Sequence, residues 1–341
     1  MQPSILEFIR SQRAAVPTVT TADLTGKTVL VIGANTGIGY QAAKHFADMN
    51  GKVVIACRSK ERGEAAVTKL KEETGRTTGI ELRLVDLAKF SSVSEFCSSF
   101  AKEEERLDVL VANAGIVNND YSETDDGWES TIQVNNLSAL LSCILLAPLM
   151  NETAQKIPGS HPRIVVVGSG MHYFSKFEQF LLDEVNPLKT LGSKEYSKTG
   201  MTKRYQESKL ISLFIARSLQ DLLKHTPVVV NCVDPGFCLS EIRRNIGGVQ
   251  LLLSKIMEWF MAWTAEQGSR QLVWAALAKA DDIQAMKGAY VCYTKITEPS
   301  DYSISKEGLS AQGKIWANMI EELSRVDSKV SDIIKEFEQE R

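Results

Sequence analysis

Thr28-Val-Leu-Val-Ile-Gly33-Ala-Asn-Thr-Gly37-Ile-Gly39 is a short β-branched run that stops on a glycine, turns through a glycine-rich loop and enters a helical segment. The run is apolar without alternation, the pattern of a strand buried on both faces. Its three glycines suit a strand-to-helix turn. One permits the tight bend, one lets the backbone come close to a ligand, and one lets helix pack on strand. The helix then presents its free N–H groups and the positive end of its dipole to whatever lies over the loop, an arrangement that favours a phosphate. Glycines end many strands; it is the place of this set, directly after the first strand, that gives it weight.

Outward from that loop the same unit repeats. Helical pattern covers residues 37–50, Lys60–Thr74, 91–104, 128–150 and 203–224, and short apolar runs lie between them at 53–56, 80–85, 107–112, 164–167, 228–233 and 288–293. Strand and helix alternate about six times, which predicts an α/β fold: a doubly wound parallel sheet of about seven strands with helices on both faces. We expect a leader helix and linker over residues 1–25, one domain over 26–325, and a charged helical tail over 326–341. Residues 170–202 form a polar insertion. Residues 241–265 include the apolar run 251–263, read either as a core helix or as a lid over an apolar substrate pocket.

With 341 residues, 44% hydrophobic and 24% charged, the chain can bury a substantial core. A net charge of −3 gives no electrostatic reason to expect nucleic acid. The six cysteines form no C-x-x-C, and the four histidines make no metal-ligand spacing with them, so reduced thiols and no metal are expected. Near the N-terminus the one apolar stretch contains Glu7 and is followed by Arg10 and Arg13, unlike a secretory signal. No run of about 18 uninterrupted apolar residues occurs. These features predict a cytoplasmic protein without a transmembrane segment. Peripheral membrane contact through 251–263 stays open, although the basic residues of a surface helix are missing there.

Two further positions carry chemistry. The second strand ends Cys57-Arg58, with no carboxylate to accept from a ribose 2′-hydroxyl. Arg58 instead suits a 2′-phosphate, which an acid would repel. A Tyr and a Lys spaced i, i+4 share one helix face, where the ammonium favours the phenolate and so lets the phenol exchange a proton. The chain holds three such pairs: Tyr40/Lys44, Tyr205/Lys209 and Tyr302/Lys306. Only Tyr205 falls on the helix after the fifth strand, near the carboxyl ends of the central strands where open α/β sheets bind ligands. Ser169, just past that strand, offers a hydroxyl partner.

In order along the chain, Gly33–Gly39, Cys57-Arg58, Asp86-Leu87, Asn113-Ala-Gly115, Val134-Asn135, Val167-Gly-Ser169, Tyr205-Gln-Glu-Ser-Lys209 and Asp234-Pro-Gly236 resemble the classical short-chain dehydrogenase/reductase family across roughly residues 25–325. Within it the chain is most similar to the retinol-dehydrogenase-like branch found in fungi. The resemblance implies a Rossmann fold and roles residue by residue. Tyr205 would be the general acid toward a carbonyl or the base toward an alcohol. Ser169 would orient the same oxygen, Lys209 would hold the nicotinamide ribose, and Asn135 would hold a water that links Lys209 to solvent. Gly33, Asn35, Thr36, Gly37, Ile38 and Gly39 would cradle the pyrophosphate, with Arg58, Asp86 and Leu87 at the adenosine end. Asn113, Ala114 and Gly115 would line the cleft, and Pro235, Gly236 and Ser240 would hold the nicotinamide end. Ile32, Gly168 and Ser240 depart from the family's usual Thr, Ser and Thr, and the interval from Ser169 to Tyr205 is long.

The expected activity is NADP(H)-dependent interconversion of a carbonyl and an alcohol on a hydrophobic small molecule such as a terpenoid, polyketide or retinoid, in secondary metabolism. Two other readings stay open: a non-catalytic NADP(H)-binding sensor or scaffold, and a lyase or cyclase on the same fold. The resemblance also implies pairing into a homodimer through the helices bearing Asn135 and Tyr205, unless the long C-terminal part covers that surface.

Overall fold

The computed structural model describes residues 5–239, 261–278 and 283–339. Ser240 and most of residues 241–265, assigned above to the cofactor site and to an apolar lid, lie outside them. Eight strands form one sheet: β1 (Thr28–Ile32), β2 (Lys52–Cys57), β3 (Ile80–Leu84), β4 (Val109–Ala112), β5 (Arg163–Val167), β6 (Val229–Asp234), β7 (Tyr290–Cys292) and β8 (Lys295–Ile296). Their order is β3-β2-β1-β4-β5-β6-β7-β8. Every neighbouring pair is parallel except β7 with β8. The expected strands are present, and β8 adds a two-residue antiparallel edge. Strand order reverses between β1 and β4, so the connections after them leave in opposite directions and open a crevice at their carboxyl ends.

Among the described residues, the helices of eight residues or more are α1 (Ile5–Gln12), α2 (Gly37–Asp48), α3 (Lys60–Thr74), α4 (Phe90–Glu103), α5 (Ser138–Lys156), α6 (Lys194–Leu222), α7 (Ala265–Leu277), α8 (Lys306–Val326) and α9 (Lys329–Gln339). One apolar core joins α2, α3 and α7 to one face of the sheet. The other joins α4, α5, α6, α8 and α9 to the opposite face. β1, β4, β5 and β6 are buried throughout, as suits their largely apolar composition.

Two helix boundaries differ from the sequence reading. Residues 130–156 form one helical run with a π-helical turn at Gln133–Leu137. This run is long and apolar enough to cross a membrane, yet 94% of its apolar window is buried inside the fold, so its apolarity belongs to the core. The helix carrying Tyr205 begins at Lys194 rather than 203, where the Ser193 hydroxyl caps it by accepting from Tyr196 N. The segment before it holds a 3₁₀ turn, Gly170–Phe174, and two short helices, Gln179–Leu182 and Pro187–Leu191.

Candidate active site

Gly33 and Gly39 draw the glycine turn tight against the loop after β4. A Cβ on Gly33 would lie 2.7 Å from Ala114 Cα, and one on Gly39 would lie 2.4 Å from both Asn113 Nδ2 and Gly33 O. No side chain fits at either place. Asn113 locks the contact by donating from Nδ2 to Gly33 O at 2.8 Å. Thr36 precedes α2 in extended backbone and makes no side-chain cap, and the first turn carries no acid. The first-turn N–H groups are thereby left to the cleft.

One cavity of about 1520 Å³ runs from this turn along the carboxyl edge of the sheet. Gly33, Asn35, Thr36, Gly37, Ile38, Gly39, Arg58, Asp86, Leu87, Asn113, Ala114, Gly115, Ser169, Tyr205, Lys209, Pro235 and Gly236 all line it. Asn135 stands behind the wall. Its Oδ1 accepts from Ile116 N at 2.8 Å, and its Nδ2 donates to Ile116 O at 3.0 Å and to Ser208 Oγ at 3.1 Å. Asn136 donates to Ser208 O at 2.7 Å. Two successive amides on the π-helical turn therefore bind α6 and the loop after β4 together. Such turns often accompany functional sites.

Lys209 is buried, and its Nζ donates to Val167 O at 2.8 Å. Desolvation pushes its ammonium down to about 8 from the usual 10.5, against the milder opposing pull of Cys232 and Asp234. Its Nζ lies 5.6 Å from the centre of the Tyr205 ring. A Cβ on Gly115 would come within 3.9 Å of that Nζ and 3.4 Å of Asn135 Oδ1, so Gly115 keeps this part of the cleft open. Ser169 Oγ accepts from Met171 N at 3.2 Å and starts the 3₁₀ turn. The two rival Tyr/Lys pairs lie elsewhere. Tyr40 is buried and donates to Glu73 at 3.1 Å, Lys44 pairs with Asp48, and Tyr302 bonds the Phe177 backbone.

Several further residues stand in or against the site. His172 reaches back to Ser169 O through Nδ1 at 2.8 Å, and its Nε2 accepts from Ser300 N at 3.1 Å. Burial holds this imidazole below its ordinary pKa, as those two roles of the neutral ring require. Asp234 at the end of β6 accepts from Gly236 N at 2.9 Å and from Tyr290 OH at 3.1 Å. Arg62, in the first turn of α3, lines the cleft with Arg58, which precedes that helix. Gln12 of the leader helix is bound into the same region, where it bonds the Phe237 backbone.

A doubly wound sheet with a glycine turn at its switch point, and a Tyr–Lys–Ser group in the same cleft, define a dinucleotide-dependent oxidoreductase. Comparison with known proteins agrees. Residues 27–178 match the short chain dehydrogenase family model. A short-chain dehydrogenase of Penicillium roqueforti, anuD, is 32% identical over 331 residues, covering 94% of this chain and 84% of the relative. Retinol dehydrogenase 12 of mouse is 33% identical, covering 84% of this chain and 83% of that protein. Among solved structures, the Pseudomonas aeruginosa RhlG/NADP active-site complex superposes with a TM-score of 0.60 at 23% identity, covering 79% of this chain and 95% of that one. The chain belongs to the classical short-chain dehydrogenase/reductase family, in its retinol-dehydrogenase-like branch. It is an oxidoreductase that uses a nicotinamide cofactor.

The residues present fit such a cofactor. The uncapped start of α2 faces the cleft, the glycine turn leaves no side chain in the way, and the buried Lys209 ammonium stands beside the opening that Gly115 provides.

Proposed function

We propose that this protein is an NADP(H)-dependent reductase of aldehydes or ketones, and dehydrogenase of the corresponding alcohols, acting on a hydrophobic small molecule. One observation carries the reading: a single cavity has arginines at one end and Ser169, Tyr205 and Lys209 at the other. In the reduction, Ser169 Oγ and Tyr205 OH hold the carbonyl oxygen, and Tyr205 delivers its proton to that oxygen as the carbon accepts hydride. The nicotinamide supplies the hydride, or takes it in the reverse direction. Lys209 holds the ribose hydroxyls and keeps a positive charge beside the phenol, and Asn135 fixes α6 against the loop after β4.

The preference for the phosphorylated cofactor rests on Arg58 and Arg62 lining the cleft past β2, and on the lack of a carboxylate where β2 ends. The RhlG structure that shares this fold holds NADP. Met171, Phe174, Phe237 and Met261 line the far end, and Phe174 is 56% exposed there, which favours an apolar substrate of terpenoid, polyketide or retinoid kind, as in secondary metabolism. In a cytoplasmic setting NADPH drives the reaction toward the alcohol.

The test is a fluorescence titration with NADPH and NADH of wild type and Arg58→Ala. Tight NADPH binding that falls to NADH-like affinity in the variant is expected. Equal affinity for both cofactors, unchanged by the substitution, would overturn the NADP(H) assignment.

A further inference from the structure

Gln12 ends a leader helix that lies before the family match, yet it is one of the most fully bonded side chains near the cleft. It is 3% exposed. Its Nε2 donates to Phe237 O at 3.0 Å and to Met261 O at 3.2 Å. Its Oε1 accepts from Phe237 N at 3.2 Å and from Tyr293 OH at 3.3 Å. Its backbone carbonyl accepts from Trp263 Nε1 at 2.8 Å. The amide thus bonds the Phe237 backbone in both directions, as a neighbouring strand would, and ties it to two segments that follow far along the chain.

The segment held in this way is the one that lines the cleft beyond β6. Gly236 takes a φ of +78°, and a Cβ there would lie 2.7 Å from the Trp263 ring and 3.0 Å from Gln12 Oε1. The absence of a side chain at 236 is therefore matched to the presence of Gln12 and Trp263. Trp263 is fixed in turn by its backbone N–H to Phe237 O at 2.8 Å and by edge-on contact with Tyr293, with ring centres 5.4 Å apart. Glu7 and Ile9 of the same helix line the cavity. Every donor and acceptor of this buried amide is engaged, so truncating it would strip partners from both the N–H and the carbonyl of Phe237, in the segment that lines the cleft.

We propose that Gln12 is a positioning residue for the nicotinamide end of the cofactor: it sets the Pro235–Cys238 backbone against which that ring lies, so the leader helix is a working part of the site. The inference rests on the cofactor reading above. It assigns Gln12 no contact with the pyrophosphate or adenosine, which the glycine turn and the arginines hold at the other end of the cavity.

That division gives the test. Binding of NADPH and of 2′,5′-ADP, which carries only the adenosine end, is measured for wild type, Gln12→Ala and Gln12→Met. The methionine keeps the length of the side chain without its hydrogen bonds. Both variants are expected to weaken NADPH about tenfold and to lower kcat with the best carbonyl by a similar factor, while 2′,5′-ADP stays within about twofold. Trp263→Phe, which removes the indole donor to the Gln12 carbonyl and also trims the ring packed beside Gly236, is expected to show the same selectivity. It serves as the probe if Gln12 variants do not fold. Unchanged NADPH affinity, or equal loss of both ligands, would show that Gln12 is merely structural and overturn the inference while leaving the cofactor reading intact. Wild type that bound neither ligand would remove the cofactor reading and the inference together.

Discussion

Tyr205 and Lys209 share a helix face but stand in different physical situations, and each makes its own prediction. Tyr205→Phe removes one oxygen and keeps the ring. If the phenol supplies the proton, kcat should fall by about 10²–10⁴ while NADPH affinity changes less than about twofold, measured by steady-state kinetics and by titration. Wild-type turnover would end the proton-transfer role. Lys209 is buried, and desolvation brings its ammonium to about 8 in the folded chain, against 10.5 for a lysine in water. Between those values the unfolded chain binds more protons than the folded one, so stability should rise as pH climbs from about 8 toward 10.5. Below about 8 the full cost of burying the charge is present. Lys209→Met should therefore be inactive yet more stable than wild type at pH 7 without cofactor. The gap should be roughly 2–4 kcal/mol and should shrink by pH 10. Thermal unfolding at the two pH values checks this; a gap independent of pH would mean that Lys209 is not held against its desolvation.

At the scale of elements, the segment bearing Asn135 and the helix bearing Tyr205 are fastened by a buried charge cluster. Glu129 accepts from Thr131 N at 2.9 Å and Ile132 N at 3.1 Å, starting the run that leads to Asn135. Arg204 places Nε 3.4 Å from Glu129 and donates from Nη1 to Glu207 at 2.8 Å. It also donates to Ser197 Oγ at 3.2 Å, and to Leu191 O at the end of the inserted segment. Burial pushes Glu207 above its ordinary carboxylate range, with Arg204 the chief opposing influence. Arg204→Met would leave two carboxylates buried without a cation, and urea unfolding should show a loss of about 3–5 kcal/mol. Arg204→Lys should recover only part of that, because an ammonium lacks the planar fork that reaches several acceptors at once. A methionine variant as stable as wild type would show that the cluster does not hold these elements. The same cluster shows where sequence reading stops. Residues whose role follows from place along the chain were legible: Gly33–Gly39 after β1, and Tyr205 on the helix after β5. Apolar runs reported the central strands because burial on both faces leaves few polar positions in them, and those few, such as Arg163 and Asn231, are met by backbone carbonyls of α7 and its end. The start of α6 was not legible, since residues 194–202 are mostly polar and their helix depends on the Ser193 cap and on Arg204 meeting Glu129, 75 positions earlier. His172 and Gln12 were missed for the same reason: their partners, Ser300 and Phe237, are distant in sequence, and neither side chain belongs to a periodic pattern.

For the whole molecule, the decisive feature is what the C-terminal helices cover. The family resemblance implies pairing through the helices that bear Asn135 and Tyr205. In this chain α8 packs on α6, and α9 packs on α5 and α6. Ile315, Met319, Leu323, Val330 and Phe337 join the core that contains α5 and α6. The join is also polar: Gln312 donates to Ser218 Oγ at 3.0 Å, Arg217 donates to Ser303 O at 2.7 Å, and Asn318 Oδ1 accepts from Leu188 N at 3.1 Å. A second copy could reach the same face only by displacing apolar side chains already buried there, at a cost that an interface of ordinary size has little surplus to offset. The full chain should therefore be a monomer, with a light-scattering mass near 37.7 kDa at micromolar concentration. A chain ending at residue 304 would uncover the apolar faces of α5 and α6, and it should either pair through them or aggregate. If the full chain instead scattered as a dimer whose mass was unaffected by charge substitutions on the outer faces of α8 and α9, the pairing surface would lie elsewhere on the sheet. The C-terminal helices would then serve to shape the substrate end rather than to close the family interface.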